Sequence, residues 1–336
     1  MDVTKKKILF LNSVDKECGI YQFGLNIAKV ITSYNFKYIT ASYSELVDMG
    51  SLNQDINRIH PDIIILNYVH LKHHWLLSCN INTPIIFIDI IHEKPEYVNY
   101  RQNNVFKSHI IATPSIDGLG LDSSFFSLPR LLPEFNTETY IEQSIPSIGC
   151  FSFGIIDRGW IQAIDIANRD FTKAVIKFHM PFNRIVDPDG KIHALKTAEI
   201  CRNRYLKNGI TLEIDHTFLP AEEVVRKLGQ NTINIFLYHP KENKGVSSSI
   251  DFALAAKRPI AINSSPMYSH LSSIEPLINV EKNTLLDIIK RGTTILEPFY
   301  LKWNKDSFCQ SFETTITNII LRYGVKLNYF NSTSLS

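Results

Sequence analysis

Residues 234–262 read NIFLYHPKENKGVSSSIDFALAAKRPIAI. An apolar run over residues 233–238 leads into a loop with Pro240 and Gly245, three serines, a stretch of small apolar residues and a second apolar run over 259–262. Continuous runs of this length suit strands buried on both faces of a parallel sheet, and residues 248–256 between them suit a crossover helix. Gly245, Ser247 and Ser248 fall where that helix begins, and N–H groups and hydroxyls at a helix N-terminus make a site for a phosphate or diphosphate. Serine is also an ordinary N-cap. The small-residue helix running straight into a strand is the more specific feature.

The same grammar extends outward in both directions. Residues 147–154, 174–179 and 210–214 are further strand candidates, with helices at 191–206 and 221–228. Earlier in the chain, residues 7–11, 62–66, 85–91 and 109–112 are Ile- and Phe-rich strands, and residues 21–31 form an amphipathic crossover helix. Residues 133–146 carry Pro133 and Pro146 without periodicity and read as the linker between two α/β halves. The expected organisation is a first domain over 1–140, a second over 141–305, and a helix within 306–336 packing back on the first. Two doubly wound sheets of this kind place a ligand cleft at the carboxyl ends of their strands.

At 336 residues the chain is too long for one ordinary core. Its 35 Lys and Arg against 33 Asp and Glu leave a net charge of +2, which gives no electrostatic basis for a nucleic-acid partner. Five cysteines are scattered without a CxxC pair, which fits a reducing compartment better than a disulfide or zinc framework. The first seventeen residues read as a strand entry rather than a signal peptide, and no window reaches the roughly 20 apolar residues of a membrane span. The expected protein is cytoplasmic and at most peripheral to the inner face of a membrane.

Four segments bear chemistry-competent residues. In residues 18–24 (CGIYQFG), Gly19 opens a helix after the first strand, where backbone N–H groups can approach a ligand or the turn can simply be tight. Residues 89–95 (DIIHEKP) place His92 at the end of the most apolar strand, facing the cleft or capping the next helix. Residues 153–160 (FGIIDRGW) place Arg158 at a turn entering a helix, where a guanidinium can grip a phosphate or stand solvated. Residues 238–249 are the glycine–serine turn quoted above. The histidines at 70, 73 and 74 lack a following carboxylate or cysteine at ligand spacing, and GxGxxG, Walker A, GxSxG and HExxH patterns are missing.

On these residues the chain resembles the GT-B glycosyltransferases, and within them the family-4-like "glycosyl transferases group 1". KILFLNSVDKECGIYQFGLNIAKVI is similar to the family's opening strand–loop–helix, His92-Glu93 to its N-domain histidine, Arg158-Gly159 to its first C-domain turn, and residues 234–262 to its most diagnostic segment. The resemblance implies an α/β GT-B fold, two Rossmann-like domains facing each other across a cleft. It implies a metal-independent, retaining glycosyltransferase in polysaccharide or glycoconjugate synthesis. Such an enzyme uses a nucleotide sugar as co-substrate, a glycan or lipid-linked acceptor, and no further cofactor. His92 and Lys244 then stand at catalytic positions. Arg158, Gly154, Gly245, Val246, Ser247, Ser248, Asp251 and Glu242 stand at donor positions, and Gly19, Ile20 and Tyr21 on the acceptor side. The family's first donor-site Glu is replaced by Lys244, its second by Phe252, and the usual first-turn Arg by Phe153. A GT-B module that binds a sugar or a partner without transfer is the alternative class.

Overall fold

The computed structural model describes residues 5–14, 16–33, 35–43, 49–67, 86–92, 106–117, 119–135, 142–184, 191–239 and 245–323. The apolar runs form strands in two wholly parallel sheets. The first joins β1 (Lys6–Ser13), β2 (Phe36–Tyr43), β3 (Ile63–Asn67), β4 (Ile86–Ile91), β5 (Ser108–Ile111) and β6 (Phe125–Ser127) in the order β2-β1-β3-β4-β5-β6. The second joins β7 (Ser147–Phe151), β8 (Ala174–His179), β9 (Ile210–Asp215), β10 (Ile233–Phe236) and β11 (Ile260–Ile262) in the order β11-β10-β7-β8-β9. The strand order reverses between β1 and β3 in one sheet and between β7 and β10 in the other.

Helices α1 (Gly19–Val30) and α2 (Met49–Ile59) connect strands of the first sheet. Helices α3 (Trp160–Asp170), α4 (Ile192–Arg202), α5 (Ala221–Gly229) and α6 (Ser249–Ala255) connect those of the second. The short α7 (Glu275–Ile278), α8 (Leu285–Arg291) and α9 (Glu297–Lys302) follow, and α10 (Lys305–Arg322) closes the described chain.

Central strands are buried on both faces: all of Ile8–Phe10 and Ile63–Ile65 are 0% exposed. The edge strand β2, FKYITASY, escapes a search for continuous apolar runs because it alternates, with Phe36 buried and Lys37 exposed. The three-residue β6 is too short to carry a pattern.

Each sheet has its own core. Trp160 and Trp303 lie in that of the second sheet. Phe308, Phe312, Ile316, Ile319 and Ile320 of α10 lie in that of the first, at the i, i+4, i+8 spacing that puts them on one helix face. Each such side chain contributes about 1.5–3 kcal/mol on full burial. The chain between the sheets divides its apolar residues, Leu128 and Leu131 going to the first core and Leu132 to the second.

Candidate functional site

A cavity of about 310 Å³ lies where the carboxyl ends of the two sheets meet. It is lined from the loops after β1 (Glu17, Gly19, Ile20), β4 (His92), β7 (Ser152, Phe153, Arg158), β9 (Phe218, Leu219) and β10 (Tyr238, Gly245–Ser249). Open α/β sheets bind ligands at this edge, next to the position where strand order reverses. Sequence distance explains why the two walls read as unrelated motifs until the sheets are in place.

On the first wall, half-buried His92 directs Nε2 at Asn67 Oδ1 over 2.7 Å, and Phe23 meets its ring edge-on at 4.9 Å. Removal from water, with the nearby Arg130 charge, lowers its pKa to about 3, so the imidazole is neutral at physiological pH. Arg130 was not singled out from the sequence. Only 2% exposed, it donates from Nε to both oxygens of Asp251 at 3.1 Å, and from Nη2 to Oδ2, while Nη1 donates to Ala112 O at 2.8 Å. A fully desolvated guanidinium therefore joins the first sheet to α6 of the second. Glu17 makes a second bridge: its carbonyl accepts from Asn183 Nδ2 at 2.8 Å and its carboxylate from the Arg184 N–H at 2.9 Å.

On the second wall, Arg158 lays its guanidinium over the Tyr238 ring at 4.3 Å. Its Nε is 3.8 Å from Asp157 Oδ1, beyond hydrogen-bonding distance, and has no acceptor among the described residues. The phenol beneath it is fixed by hydroxyl contacts of 2.8 Å to Ser152 and to Ser249. Gly159 makes this turn possible, since its φ of +76° is left-handed and a Cβ there would stand 2.1 Å from Leu237 O. Phe153, Phe218, Leu219 and Phe252 make the rest of this side apolar.

The candidate residues distribute unevenly. His92, Arg158, Gly19, Ile20, Gly245, Val246, Ser247 and Ser248 all line the one cavity. A Cβ on Gly19 would stand 3.5 Å from Ser248 Oγ, so the two walls meet at these residues. Ser247 spends its N–H on Met267 O at 2.9 Å. Three candidates are not in the cavity lining. Gly154 packs under α4, where a Cβ would come within 2.5 Å of Ala194 Cα. Asp251 is taken up by Arg130, and Tyr21 contributes only its carbonyl, to Asn12. Lys244 and Glu242, with residues 70–74, lie outside the described residues. Among the described residues no three of His, Cys, Asp and Glu gather as a metal-ligand set, and no helix is long and apolar enough to cross a membrane.

No protein-family model matches the sequence, and no curated protein matches it by sequence. Solved structures do. HepE from Anabaena in complex with UDP-glucose is 11% identical, with a TM-score of 0.62 over 93% of this chain and 99% of that one. The trehalose-6-phosphate synthase OtsA is 10% identical, with a TM-score of 0.63 over 94% and 99% of the two chains. A glycosyltransferase from Rickettsia africae is 10% identical, with a TM-score of 0.59 over 94% and 99%. At such identities the likeness is one of fold, and it spans both sheets: the chain has the GT-B fold.

Proposed function

We propose that this protein is a glycosyltransferase that moves a sugar from a nucleotide-diphosphate donor to a hydroxyl on a glycan or lipid-linked acceptor. The observation that carries this reading is the pairing across one cavity of Arg158, whose guanidinium rests on Tyr238, with a neutral His92. A diphosphate fits between Arg158 and the loop 245–248, whose backbone N–H groups at Gly245, Val246 and Ser248 have no backbone acceptor among the described residues. A planar base fits the apolar side made by Phe153, Phe218 and Leu219. His92 faces the sugar, where a neutral imidazole exchanges a hydrogen bond with a hydroxyl.

Transfer in such a site is mainly positioning plus stabilisation of charge on the departing diphosphate, supplied here by a preorganised guanidinium and N–H groups without a resident metal. Retention of anomeric configuration follows from the resemblance to the family-4-like enzymes. A lipid-linked acceptor would bring the protein to a membrane surface, and polysaccharide or glycoconjugate assembly is the setting.

The test is calorimetry with UDP, GDP and CMP and their sugars, beginning with UDP-glucose, the ligand of the HepE structure. Binding by one nucleotide class, followed by sugar transfer with the α or β product read by NMR, supports the reading. Binding without transfer under any acceptor favours a sugar-binding module. No binding by any nucleotide removes the proposal.

A further inference from the structure

Asn12, one residue before the end of β1, and Asn67, the last residue of β3, lie on neighbouring strands where the strand order of the first sheet reverses. Both are buried, at 5% and 0% exposure, and buried amides are costly unless bonded. Asn12 Nδ2 donates to Tyr21 O at 3.0 Å. Asn67 Nδ2 donates to Asn12 Oδ1 at 2.8 Å and to Ile20 O at 2.7 Å. Backbone carbonyls only accept, so each amide must turn its nitrogen toward the first turn of α1. The Asn67 oxygen is then the atom that meets His92 Nε2 at 2.7 Å. An amide oxygen only accepts as well, so Nε2 carries the proton.

Two further features converge on this relay. Gly24, inside α1, leaves space for it: a Cβ there would lie 2.4 Å from both Asn12 Oδ1 and Asn67 Nδ2. Glycine weakens a helix interior, so the position carries a cost that the amide pair explains. The edge-on Phe23 ring fixes the imidazole plane. With the ring neutral and Nε2–H spent on Asn67, the remaining ring atom is Nδ1, a lone pair without a partner among the described residues.

We infer that Asn67, backed by Asn12, is a positioning residue that locks His92 as the Nε2–H tautomer and leaves Nδ1 to accept a hydrogen bond from a ligand hydroxyl in the cavity. Only the ligand half rests on the glycosyltransferase reading. An Nδ1 lone pair rejects an ether, carboxylate or phosphate oxygen at the same place, so the group it selects is a hydroxyl or amine.

The experiment is ¹⁵N NMR of histidine-labelled full-length protein without ligand at pH 7. The expected His92 signal has Nε2 protonated and Nδ1 not, with a downfield Hε2 protected from solvent exchange. In Asn67→Ala that proton should lose its protection while the fold, followed by circular dichroism, persists. A wild-type signal with the proton on Nδ1 overturns the inference, and so does an Hε2 equally protected in Asn67→Ala. If Asn67→Ala does not fold, the wild-type tautomer and the same measurement on Asn12→Ser decide. On saturation with UDP-glucose the Nδ1 resonance should move and Nε2 should not; binding that leaves Nδ1 unmoved overturns the acceptor role. Failure of every nucleotide sugar to bind would instead remove the functional proposal, leaving the tautomer lock to stand or fall on the unliganded spectra.

Discussion

Arg158 owes its place in the cavity to an aromatic plane, since Tyr238 lies 4.3 Å beneath it and Asp157 is too distant to bond its Nε. A charge-assisted contact to a diphosphate contributes about 1.5–3 kcal/mol, so Arg158→Ala should weaken UDP binding about tenfold to a hundredfold by calorimetry. Arg158→Lys should recover only part of this, because an ammonium neither stacks on the phenol nor binds two oxygens at once. Unchanged affinity in both variants would move the anion elsewhere. His270 tests a different property. Both its ring nitrogens are buried beside Trp303 without partners among the described residues, and burial together with the Arg130 charge lowers its pKa to about 3, as for His92. A histidine held neutral in the fold takes up its proton more readily once unfolded. The stability it leaves intact above about pH 6.5 is therefore lost as pH falls toward 3, by at most about 1.4 kcal/mol per pH unit for each ring. His270→Phe should flatten the fall in urea midpoint between pH 7.5 and pH 5; an unaltered slope would show that His270 takes up its proton as readily in the folded state as in the unfolded one.

At the scale of an element, Gly159 joins a single 3-10 turn, Ile156–Arg158, to α3, and two separate penalties meet there. A left-handed backbone costs a non-glycine residue about 1–2 kcal/mol. Gly120, with φ +64° and nothing within 4 Å of an added Cβ, carries that penalty alone, whereas at Gly159 the Cβ would also strike Leu237 O. Gly159→Ala should lower the melting temperature well beyond Gly120→Ala, and equal losses would mean that the loop after β10 yields freely. Elements differ in how far their residues announce them. The central strands are legible because burial on both faces demands unbroken apolar runs, while β2, solvated at the sheet edge, keeps only alternation. His92 and Arg158 are legible by position, each following a strand end. Gly154 is ambiguous because a glycine that admits a helix and one that admits a ligand look alike in sequence. Asn12 and Asn67 did leave a signal, since in both strands the apolar run closes on Leu-Asn, and a polar residue closing such a run needs a partner. Arg130 left none: residues 128–133, LPRLLP, carry no pattern, and its partner lies 121 residues further on.

For the whole molecule, the Arg130–Asp251 pair is the most deeply buried charge contact between the two sheets. Removing one partner strands the other charge out of water, which costs about 3–5 kcal/mol, while an apolar pair of similar volume can be nearly neutral. Arg130→Met and Asp251→Leu should each lower the denaturation midpoint strongly, and the double variant should regain most of the loss. Additive losses would mean that the two residues stabilise the fold independently. The placing of α10 has a consequence for how the chain is made. A ribosome delivers β1 to β6 first and α10 only after the entire second sheet, on the order of ten seconds later at ~5–20 residues per second. Throughout that interval the first sheet lacks Phe308, Phe312, Ile316, Ile319 and Ile320, the side chains that complete its core. The half of the molecule that is synthesised first is thus the half that finishes last. A nascent chain stalled before Lys305 should hold an Ile-rich sheet face open to chaperones, however well its second sheet has folded.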